Sequence, residues 1–119
     1  MNKILLFILI SFSLFFYSCS NKKVYEVYSI KNLGNPLLDT LKFDNKNRVT
    51  VIEIVLIGEV RGEAVLEFEN GSGRFNKIDL KGKVNQTYKT EWYSSKILFK
   101  YTPISKIRGD SLKLKYRMY

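Results

Sequence analysis

Few residues in this chain could do chemistry, and one stands apart. Cys19 is the single cysteine in 119 residues, and it closes the one long apolar run, Ile4 to Tyr17, through Ser18. Histidine is absent. Ser-His-Asp and Cys-His nucleophilic sets therefore cannot be assembled, and neither can a His/Cys zinc site. Carboxylates remain, because glycosidic cleavage needs a pair of them. Glu63, Glu67 and Glu69 fall at even steps along one segment, but strict alternation reads them as a solvated stripe on a strand. Gly71-Ser72-Gly73 lacks the Lys-Ser/Thr of a phosphate loop and precedes a strand pattern, so it reads as a turn. The residues therefore predict a protein that is not an enzyme, with no cofactor and no metal. The candidate binding residues are Tyr93, Lys89 and Glu91, which strand alternation places on one face, opposite Tyr88 and Trp92. Tyr93 beside polar groups could stack on a sugar ring, while Trp92 belongs to the core.

The elements that position Cys19 come first in the chain. Lys3 gives a short positive start, and Ile4 to Tyr17 is apolar apart from Ser11 and Ser13. A spanning helix needs about 20 apolar residues, so this run is short for a permanent span and fits the apolar part of an export signal. It shows no 3.6-residue period, which argues against a soluble core helix. Phe16-Tyr17-Ser18-Cys19 resembles the lipobox of bacterial lipoproteins. That resemblance implies a cleaved signal peptide over residues 1–18, a signal helix before the domain, and a diacylglycerol on the sulfur of Cys19, with further acylation of the new amine. Residues 19–23 then form a lipidated tether and residues 24–119 the folded domain. Stable anchoring needs more than one acyl chain, which such a modification supplies. Ordinary signal cleavage with a free thiol and an uncleaved anchor are the competing readings. Ser20 follows the cysteine where an Asp is the inner-membrane retention signal of that family, so the resemblance implies a cell-envelope protein of the outer membrane, with its face undetermined.

Charge bounds the partners. Lys and Arg number 20 against 11 Asp and Glu, a formal net charge of +9. Five glutamates lie between Glu53 and Glu69, and lysines dominate from Arg74 onward. Besides the bilayer reached through acylated Cys19, an exported basic domain meets anionic envelope glycolipid, acidic polysaccharide or a protein partner rather than nucleic acid. Lysines on alternate strand positions can equally be a solvated face that protects sheet edges.

The remainder reads as strands. Val24 to Ile30 is β-rich, Gly34-Asn35-Pro36 is a turn, and Thr40 to Phe43 is a short strand. Val49 to Ile57 is a nearly continuous β-branched run, expected to be buried on both faces. Gly62 is expected to close a turn near Val60-Arg61, ahead of an alternating strand through Ala64, Leu66 and Phe68. Asn70-Gly71-Ser72-Gly73 is a hairpin signal. Ile78 to Val84, with a bulge at Gly82, Tyr88 to Trp92, Ile97 to Tyr101 and Leu112 to Met118 complete the pattern. The expected fold is all-β, a small antiparallel β-sandwich of about eight strands, with a small β-barrel as the alternative. Glu91-Trp92-Tyr93 and the closing Gly109-Asp110-Ser-Leu-Lys-Leu-Lys-Tyr resemble small β-rich lipoproteins of the Bacteroidota type. The function expected is a membrane-anchored envelope lipoprotein with a non-catalytic binding or structural domain. A carbohydrate-recognition module and a membrane-tethered immunity or inhibitor protein are the alternatives.

Overall fold

A computed structural model describes residues 24–44, 48–108 and 111–119. The expected export segment over residues 1–18, Cys19 and the expected tether before Val24 lie outside the described residues, as do Gly109 and Asp110. Among the described residues no helix is long and apolar enough to cross a membrane.

The domain is all-β. Among the described residues its six strands are β1 (Glu26–Ile30), β2 (Leu37–Lys42), β3 (Val51–Glu69), β4 (Phe75–Glu91), β5 (Lys96–Pro103) and β6 (Leu112–Met118). All pairings are antiparallel. The expectation of about eight strands is corrected to six, because β3 and β4 are 19 and 17 residues long and each takes the place of two short strands. Gly62 does not close a turn. It lies inside β3 with Arg61 in a bulge: Val60 pairs with Gly82 and Glu63 with Lys81, leaving Arg61 and Gly62 unopposed. Gly62 at φ 142° and Gly82 at φ 66° hold backbone conformations that favour glycine. A bulge sharpens the local twist and bends the strand, and both members of this hairpin bend at the same level.

That corner shapes the domain. The first half of β3 pairs with β6, which pairs with β1; the second half pairs with β5, which pairs with β2. The sheet therefore closes on itself into a nearly complete, barrel-like shell. Across one seam, Asn76 near the start of β4 donates from Nδ2 to the Tyr88 hydroxyl near its end, at 2.7 Å. Phe68 stacks on Tyr88 with centroids 5.0 Å apart. Across the other, the Tyr101 hydroxyl donates to the Leu33 carbonyl and the Tyr116 hydroxyl to the Lys42 carbonyl, each at 2.7 Å. Tyr28 meets the edge of Phe99 and donates its hydroxyl hydrogen to Asp39.

The interior follows strand alternation. Ile52, Ile54 and Leu56 before the bulge and Ala64, Leu66 and Phe68 after it are buried. The two unopposed residues preserve the parity, so even-numbered side chains of β3 point inward along its whole length. Ile97, Phe99 and Tyr101 of β5, and Leu112, Leu114, Tyr116 and Met118 of β6, join them. Burying each large apolar side chain contributes about 1.5–3 kcal/mol. The run from Val49 is not buried on both faces: Val51, Glu53 and Val55 are only partly covered and Ile57 is 40% exposed. Its partners β4 and β6 cover its edges, and on its outer side Arg117 and Tyr25 cover Glu53 while Ile57 stays open. No polar or charged residue is buried among the described residues.

Candidate functional site

Trp92 and Tyr93 follow the last residue of β4 and point to opposite sides, as adjacent residues in extended chain must. Trp92 is 8% exposed, and its indole N–H donates to the Lys96 carbonyl at 2.9 Å. Tyr93 is 68% exposed, and its hydroxyl lies 3.3 Å from a Glu91 carboxylate oxygen, to which it donates. Trp92 N–H also bonds back to the Thr50 carbonyl, fixing the segment just beyond the strand.

These residues form one wall of an open groove of about 610 Å³. Asn70, Gly71 and Ser72, from the turn between β3 and β4, form the other; Thr90 and Ser94 extend the first wall. The turn and the end of β4 are far apart in the extended hairpin, and the fold-over at Gly62 and Gly82 brings them together. A Cβ on Gly71 would lie 3.8 Å from Trp92 Cζ3. The turn is tied by side-chain hydrogen bonds: Asn70 Oδ1 accepts from the Ser72 N–H at 3.1 Å and from its hydroxyl at 2.7 Å, and Asn70 Nδ2 donates to Asn76 Oδ1 at 3.3 Å. The groove thus offers one aromatic ring in solvent, the edge of another, a carboxylate, three hydroxyl-bearing side chains and an amide. Its volume is that of a small-molecule site.

The structure joins Glu91 and Tyr93 but puts Lys89 elsewhere. Lys89 stands opposite Glu53 on β3, with its ammonium 5.8 Å from the centroid of Tyr119. There it borders a cluster that sequence patterning does not reveal. Arg117 Nε bonds Glu53 Oε2 at 2.7 Å, and its guanidinium lies 4.0 Å from the Tyr119 ring centroid and 5.6 Å from that of Tyr25. Tyr25 donates to the same Glu53 oxygen at 3.2 Å. The Arg117 and Glu53 side chains are only 19% and 14% exposed, although both lie on the outer side of the sheet. The hydrogen bond to Glu53, and then its charge, hold the guanidinium pKa above its ordinary value, and the bond to Tyr119 raises that of Lys89. An acid within an otherwise apolar run, opposite a basic strand, is the only signal of this cluster in the sequence.

The carboxylates weighed for hydrolysis do not converge. Glu63 pairs with Lys81 at 3.5 Å, Glu67 stands in register between Lys77 and Lys100, and Glu69 accepts the Leu98 N–H at 2.9 Å. Among the described residues there is no group of three or more His, Cys, Asp or Glu that could hold a metal ion. No family model matches the chain, and no curated protein matches it.

Proposed function

We propose that the chain is a lipid-anchored protein of the cell envelope, acylated at Cys19 and held at the outer membrane, whose β-domain binds a partner without catalysis. The groove at Trp92–Tyr93 is its ligand site, and an uncharged or weakly basic carbohydrate is the ligand class it suits. One observation carries this reading: Tyr93 is 68% exposed yet held by Glu91, beside a groove rich in hydroxyl and amide groups. A fixed ring face covers the apolar side of a pyranose, while hydroxyls and a carboxylate bond its rim. A rigid aromatic of this kind loses little conformational entropy on binding. The lysines flanking Glu63 and Glu67 support the non-catalytic reading, since opposed charges across strands stabilise the sheet by about 0.2–1 kcal/mol each. The two halves of the sheet are read as the layers of a flattened sandwich that shares β3 and β4.

Binding to an array of envelope-type glycans tests the site, with Tyr93→Ala and Glu91→Gln as variants. Loss of a glycan signal in both, with thermal unfolding unchanged, is expected. Equal binding by the variants and the unaltered protein would place the ligand elsewhere.

A further inference from the structure

A second surface lies on the outer side of β1, β6 and the first half of β3. On the outer side of the first half of the sheet, Val27 of β1 stands beside Lys115 of β6, and Lys115 beside Val55 of β3. One step along, Ser29 stands beside Lys113, and Lys113 beside Ile57. These two rows contain no acid. Val24, Val27 and Ile57 are 71%, 55% and 40% exposed, and Lys113 is exposed between them. The outer side of the other half differs: there Glu63, Glu67 and Glu69 alternate with the lysines of β4 and β5.

We infer that this face of β1 and β6 rests on the anionic headgroup surface of the bilayer that carries the anchor. The inference depends on acylation of Cys19. Four residues lie between Cys19 and Val24, and the five steps from one to the other, at 3.3–3.6 Å per extended residue, span at most about 18 Å. Val24, two residues before β1, is thus held within that distance of the membrane surface. Tyr25 is fastened to the sheet through Glu53 and Arg117, and the Lys115 ammonium sits 5.3 Å from its ring centroid. The short leash therefore ends on a fixed part of the domain, beside the acid-free rows. Exposed valine and isoleucine between lysines suit a leaflet surface, where the apolar groups enter the headgroup layer and the ammonium groups pair with lipid phosphates. Each lysine near an anionic leaflet is worth about a fivefold shift in occupancy, lost with salt beyond the Debye length.

The test uses the acylated protein reconstituted in vesicles, once in neutral phosphatidylcholine and once with phosphatidylglycerol added. Co-flotation and the mass of the N-terminal peptide report the anchor. Brief amine acetylation, quantified by peptide mass spectrometry, reports the face. Lys113 is expected to be protected about fivefold in the anionic vesicles relative to the neutral ones, with protection lost in high salt, while Lys100 on the other half labels equally in both. A protein that floats and is acylated, but whose Lys113 and Lys100 label alike in all vesicles, overturns this orientation and leaves the anchor standing. An unmodified Cys19 overturns the anchor, and the orientation with it.

Discussion

Replacing Gly62 by alanine tests the corner that brings the groove's two walls together. Gly62 has φ 142°, and a Cβ there would lie 2.7 Å from the Ser105 hydroxyl, 2.9 Å from Ile107 Cγ1 and 3.3 Å from the Lys106 carbonyl. Two costs follow. Holding alanine at such a φ costs about 1–3 kcal/mol. The close approach adds about 1–3 kcal/mol, as overpacking does, because Ile107 is buried and cannot swing away freely. Ser105 also accepts the Glu63 N–H at 2.8 Å, so moving it breaks one of the bonds that anchor the 104–107 segment to the bulge, beside those from the Ile104 and Ser105 N–H groups to the Glu63 carbonyl. Gly73 supplies the control. It has φ 81° and nothing within 4 Å of an added Cβ, so Gly73→Ala carries the backbone cost alone. Urea unfolding of both variants, followed by Trp92 fluorescence, gives the comparison. Gly62→Ala is expected to lose about 2–6 kcal/mol and Gly73→Ala about 1–3 kcal/mol, the first exceeding the second by the packing cost of about 1–3 kcal/mol, at an unchanged slope. Equal losses would mean that no close packing occurs at the corner and that the fold-over has another origin.

Three other outcomes are expected. Burial and the bond to Asp39 push the Tyr28 pKa from 10.0 up to about 12, so its contribution is complete below pH 10 and is lost as pH rises from 10 to 12. Tyr28→Phe should flatten that alkaline limb of a denaturation series by about 1–2 kcal/mol. The Tyr28 hydroxyl, and then the Thr40 N–H, lower the Asp39 pKa, so stability present above pH 4 falls as pH drops through the folded value; Asp39→Asn should remove that acid limb. Arg117→Ala deletes the 2.7 Å ion pair and the guanidinium's contacts with the Tyr25 and Tyr119 rings, and should lower stability by about 1–3 kcal/mol in urea. Arg117→Lys should restore only part of the loss, since an ammonium cannot stack as a plane.

Much of the shell is legible in the chain because its inward residues alternate with polar ones. Ala64, Leu66 and Phe68, then Ile97, Phe99 and Tyr101, then Leu112, Leu114, Tyr116 and Met118 all point inward, and their spacing alone implies it. So does the division of Trp92 from Tyr93. The strand count is not legible, because glycine between two β-rich runs reads as a break, and only the pairing of Val60 with Gly82 and Glu63 with Lys81 reveals a bulge within one strand. The β-branched run after Val49 conceals which side is inward, since both sides carry apolar residues. The groove escapes sequence reading for a different reason: Asn70 and Ser72 meet Trp92 only after the hairpin folds over, and no local pattern encodes that contact. Arg117 and Glu53 are likewise joined by the register of β6 on β3, which alternation leaves open.

The most direct test of the anchored reading is the intact mass and N-terminal peptide of the protein recovered from the membrane fraction of a bacterium that makes it with its own leader. The expected product begins at Cys19, bears a diacylglyceryl thioether with a further acyl chain on the amine, and leaves the membrane fraction when Cys19→Ala is introduced. A product that keeps residues 1–18, or one that carries Cys19 as a free thiol, would contradict it.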